Sequence, residues 1–100
     1  MKKIEILAIC THEGILQTIN RLINNNELWN SAGAIDMQEA RDLVDTKDFD
    51  LILIGSGLTA AEEQELESIL AAHKNIPVVK HYGGGSGLLF GEIHHALSGR

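Results

Sequence analysis

Phe49-Asp50-Leu51-Ile52-Leu53-Ile54 carries the strongest strand signal in the chain and decides its fold. Four consecutive aliphatic residues closed off by Gly55-Ser56-Gly57 leave no polar face. Such a strand belongs inside a sheet that is covered on both sides. Immediately upstream, Asp36-Met37-Gln38-Glu39 has the form of a capping box and opens a short helix with Ala40, Leu43 and Val44 turned inward. Before it, Leu28 to Ile35 (LWNSAGAI) is a weaker strand, broken by Gly33. Further back, Ile15, Leu16, Ile19, Leu22 and Ile23 recur at helical spacing; Thr11 offers an N-cap and Asn24-Asn25-Asn26 ends the helix. Lys3 to Cys10 (KIEILAIC) is a first, doubly buried strand.

Downstream the same alternation continues. Thr59-Ala60-Ala61-Glu62 is a second capping box, and Leu66, Ile69 and Leu70 mark the inner face of the helix that follows. Ile76 to Tyr82 (IPVVKHY) is a fourth strand, with Pro77 tolerated near its start or on an edge. Gly83-Gly84-Gly85-Ser86-Gly87 turns the chain into a last helix carried by Leu88, Leu89, Ile93 and Leu97. Four strands alternating with four helices imply an α/β fold with right-handed crossovers. The expected architecture is a three-layer αβα sandwich, a flavodoxin-like, doubly wound parallel sheet of four strands in the order 2-1-3-4.

Composition bounds the function. One hundred residues, 44% of them hydrophobic and 22% charged, make a single folded domain over 1–100 without linker, repeat or low-complexity tract. A formal net charge of -6 argues against nucleic acid or an anionic membrane surface as partner. No apolar run approaches the ~18 residues of a membrane span, and Met1-Lys2-Lys3 leads into a strand rather than a secretory segment. The one cysteine excludes an internal disulfide and a multi-thiolate zinc site, which fits a cytoplasmic protein. Trp29 either covers the core from the second strand or marks a subunit contact.

Ligands of such sheets bind off the carboxyl ends of the strands, near the reversal point. Here that rim gathers Thr11 and His12 after strand one, Ser56 and Gly57 after strand three, and Gly83, Gly84, Gly85, Ser86 and Gly87 after strand four. Helix N-termini converge on it, so a small anion is the ligand these residues would take. The glycine run suits either an anion nest or a tight subunit contact, and lacks the Lys-Ser/Thr of a phosphate loop: Leu88-Leu89 stands there. Cys10 ends strand one beside a helix start, the place for a nucleophilic thiol in this architecture. Leu16 occupies the position at which a C-x-x-x-x-x-R phosphatase loop needs arginine, so a small core residue is the plainer reading of Cys10. His94 and His95 are neighbours on one helix and point apart; His12 and His81 lack a placed carboxylate; no metal or other cofactor is expected.

The stretch from Arg21 through Leu58 (RLINNNELWNSAGAIDMQEARDLVDTKDFDLILIGSGL) resembles the receiver domains of bacterial response regulators. These have a weak strand after the first helix, an EA..L helix and then a DLILLD strand. The resemblance runs over about the first 80 residues. It implies a phosphorylated Asp at the end of strand three, where this chain has Gly55, and a magnesium-binding acidic pair after strand one, where it has Cys10-Thr11-His12 with Glu13 the nearest acid. The fourth strand should end in Thr or Ser; the chain reads His81-Tyr82-Gly83. A fifth strand with its Lys has no counterpart. The resemblance therefore implies a shortened pseudo-receiver without aspartyl phosphotransfer: a non-catalytic signalling or protein-interaction module, expected to form a homodimer through strand four, Tyr82 and the last helix. The IIB proteins of the sugar phosphotransferase system are similar in length and in the Cys closing strand one. That likeness implies a phosphocarrier or small-anion protein using Cys10 and the 83–87 loop, although Glu13 stands where phosphate would be repelled. Cobalamin-binding domains are similar at Ser56-Gly57-Leu58, but their D-x-H-x-x-G signature fails around His12, with Cys10 before it and Ile15 after.

Overall fold

The computed structural model describes residues 3–55, 57–73, 76–80 and 86–98. Its elements are β1 (Ile4–Ile9), α1 (Glu13–Asn24), β2 (Trp29–Ala34), α2 (Met37–Thr46), β3 (Leu51–Ile54), α3 (Ala60–His73), β4 (Val78–Lys80) and α4 (Ser86–Ser98). All three strand pairings are parallel and the sheet order is β2-β1-β3-β4, as the sequence implies. The alternating side chains of the two central strands separate two cores. Ile6, Ala8 and Cys10 of the β1 segment and Leu51 and Leu53 of β3 pack with Leu16, Ile19 and Ile23 of α1 and Leu89 and Ile93 of α4. Leu7, Ile9, Ile52 and Ile54 face Met37, Ala40 and Val44 of α2 and Leu66 of α3. Burial on both faces explains why LILI has no polar position.

The outer strands are read differently. β2 pairs with β1 from Ile4↔Trp29 to Ile9↔Ala34, yet only Trp29 and Ala34 of its six residues are buried. Polar side chains hold it instead. Asn30 donates to both carboxylate oxygens of Glu5 at 3.1 and 2.9 Å, Ser31 donates to Asn20, and Lys47 reaches Glu5 at 3.2 Å. Asp50 closes the other flank of β1 by accepting from the Glu5 amide at 2.9 Å. β4 lies at the other edge of the sheet, with Val78 and Val79 half-buried and Lys80 exposed. The Pro77 carbonyl accepts from Ile52 N at 3.0 Å, so the proline sits just outside β4, where its missing N–H costs nothing. Lys80 ties this strand to Glu63 (3.5 Å) and Glu67 (3.7 Å) of α3.

Helix starts follow the sequence in two cases and depart from it in one. Asp36 accepts from Glu39 N at 2.9 Å at the start of α2, and Thr59 exchanges bonds of 3.1 and 3.0 Å with Glu62 at the start of α3. At α1 the N-cap is His12 rather than Thr11, with no side-chain cap bond. Ile15 also departs from its expected place in the apolar stripe, being 47% exposed. Helical positions advance ~100° per residue, which leaves Ile15 at the margin of an arc centred on Leu16, Ile19 and Ile23. Trp29 is 2% exposed, with its ring 6.0 Å from Phe90 and 4.9 Å from His94. It therefore covers the core of its own chain.

Candidate functional site

The rim at the carboxyl ends of β1 and β3 is built by extending the sheet ladder past the strands. Cys10 N donates to Ala34 O at 3.0 Å and Gly55 N donates to Ile9 O at 2.7 Å. Continuing the Ile9↔Ile54 register places Cys10 directly beside Gly55. The contact is close: a Cβ built on Gly55 lies 3.0 Å from Cys10 Cβ and 3.3 Å from both Cys10 Sγ and the Ile9 carbonyl. A side chain at position 55 therefore requires the neighbouring strand to give way. Cys10 itself is fully buried, and its sulfur approaches the His12 carbonyl at 3.6 Å.

A second tight contact lies one step outward. Gly57 has φ +108°, a backbone region that L side chains rarely adopt. A Cβ there falls on the Thr11 side chain, 2.8 Å from its Cβ. So Thr11 and Gly57 are brought together, and Thr11 packs across the β3–α3 connection instead of capping α1. Thr11, His12 and Gly57 are all exposed.

Three carboxylates near this rim are engaged with backbone. Asp36 and Glu62 serve the N-termini of α2 and α3, and Glu39 accepts from Ile35 N at 2.9 Å. Glu13 opens α1 on the exposed side. Among the described residues no group of three or more His, Cys, Asp or Glu is placed to hold a metal ion. No described helix is long and apolar enough to cross a membrane.

Of the rim residues singled out from sequence, Ser56, Gly83, Gly84 and Gly85 lie outside the described residues, as do His81 and Tyr82. Ser86 and Gly87 form the first turn of α4. The packing of Cys10 on Gly55 and of Thr11 on Gly57 was not evident from residue types alone. A signal was nevertheless present, in the glycines that end β3 opposite the residues that end β1.

No protein-family model and no curated protein matches the sequence. Among solved structures, the chain is similar to the signal receiver domain of an HD domain-containing protein from Pseudomonas fluorescens Pf-5. The two share 16% identity at a TM-score of 0.78, over 98% of this chain and 97% of that one. It is also similar to the receiver domain of the Francisella response regulator 1452, with 21% identity and a TM-score of 0.69, over 94% of this chain and 78% of that one. The likeness is one of fold: a flavodoxin-like sheet in the order 2-1-3-4, with the arrangement of a receiver domain.

Proposed function

We propose that this chain is a receiver-like signalling module of one domain that has lost aspartyl phosphorylation and works in the cytoplasm through protein contacts, including contacts with a second copy of itself. The observation that carries the reading is the end of β3. Gly55 stands where the resemblance to receivers calls for the phosphorylated Asp, and Cys10 fills the space beside its Cα. Aspartyl phosphotransfer needs a carboxylate nucleophile and carboxylates that hold magnesium against the phosphoryl charge. The residues do not fit that ion. Cys10-Thr11-His12 supplies no acid after β1, and Asp36, Glu39 and Glu62 are bonded to backbone N–H groups. Nor does a fully buried Cys10 favour a thiol nucleophile, since its sulfur is closed off from solvent. Thr11, His12 and Gly57, the exposed residues described at this rim, then serve protein contact rather than phosphate binding.

The position of β4 at the sheet edge supports self-association, since a parallel edge is a liability that proteins cover. Multi-angle light scattering at micromolar concentration tests it. A dimer is the expected species, and a monomer across that range overturns self-association through this edge.

A further inference from the structure

We propose that α4 undocks from the sheet as a unit, by local unfolding, at a free energy well below that of global unfolding. The proposal goes beyond the receiver-like reading and does not depend on it.

The four helices differ in what makes them helical. α2 and α3 start on side-chain caps, at 2.9 Å for Asp36 and 3.1 Å for Thr59. α3 also has Glu62 and Glu63 in its first turn, favourable to its dipole. α4, SGLLFGEIHHALS, has no acid in its first turn and contains two glycines, two serines and two histidines. An interior glycine lowers a helix equilibrium about fivefold relative to alanine. At Gly91 that weakness has no packing reason, because a Cβ there meets nothing within 4 Å. α4 is consequently held by tertiary contact: Leu89 and Ile93, at 1% and 0% exposure, and the rings of Phe90 and His94 against Trp29.

A helix of low intrinsic stability does not persist once it leaves its docking surface, so undocking and melting are one event. Trp29 belongs to β2 and remains with the sheet. Opening therefore uncovers the part of the α1-side core that Leu89 and Ile93 close, and makes that apolar face available only part of the time.

Native-state hydrogen exchange of the full chain, read by mass spectrometry, tests this. The α4 amides are expected to exchange at least about tenfold faster than those of β3. Gly91→Ala should slow α4 exchange about fivefold. Thr59→Ala, which removes the α3 cap, should speed β3 exchange about fivefold and leave α4 unchanged, because the α4 opening does not involve α3. Equal exchange of α4 and β3 with an equal response to Thr59→Ala overturns the proposal, since α4 would then open only with the whole fold. An α4 rate that Gly91→Ala does not move overturns it as well.

Discussion

Gly57→Ala is expected to remove about 3 kcal/mol of folding stability. Two effects add. The backbone at φ +108° disfavours any L side chain, at a cost of about 1–2 kcal/mol. The new methyl also falls on Thr11, whose Cβ and Cγ2 lie 2.8 and 3.2 Å from the built atom. Rotation of the Thr11 side chain leaves its Cβ in place, so only a backbone shift relieves that contact. In a domain of this size a loss of that magnitude lowers the melting temperature by roughly 15 °C. Urea unfolding of Gly57→Ala, Thr11→Gly and the double variant separates the two effects. The double variant should recover the steric part and retain the backbone part. A loss under about 1 kcal/mol for Gly57→Ala alone would contradict the close packing of the rim.

Leu53→Ala has a similarly large expected effect, about 3–4 kcal/mol. Leu53 is fully buried in an interior strand, with Ala8 and Val79 as its register partners on either side. It packs in the core that α1 and α4 cover from above, so truncation leaves a cavity that neighbouring strands hold open. Val79→Ala, on the half-buried edge strand, should cost about 1 kcal/mol. The measurement is the difference in denaturation midpoint between the two variants at unchanged slope. Equal costs would mean that β4 is as enclosed as β3, against the sheet order observed.

Sequence patterning revealed the interior of this fold better than its margins. Leu51 to Ile54 could be recognised because burial on both faces removes every polar position from a strand. β2 was a weak signal because it is held by Asn30 on Glu5, Ser31 on Asn20 and Trp29 against Phe90 and His94 rather than by an apolar run. The start of α1 misled for a physical reason: Thr11 has the chemistry of an N-cap, but its side chain lies over Gly57. At the rim, the resemblance to receivers set Gly55 where a carboxylate would be expected. It did not show that Cys10 fills the space beside it, because that contact exists only once β1 and β3 are in register. A one-residue slip would have turned Cys10 to the other face of the sheet.

The central claim is that the fold of a receiver persists here without its aspartyl phosphotransfer. Its most direct test is incubation of the protein with acetyl phosphate and magnesium, followed by intact-mass measurement before and after hydroxylamine, which cleaves acyl phosphates. The expected result is an unmodified mass throughout. A phosphoryl adduct that hydroxylamine removes would show that a carboxylate of this chain accepts phosphate, and would contradict the account of Gly55 and its rim.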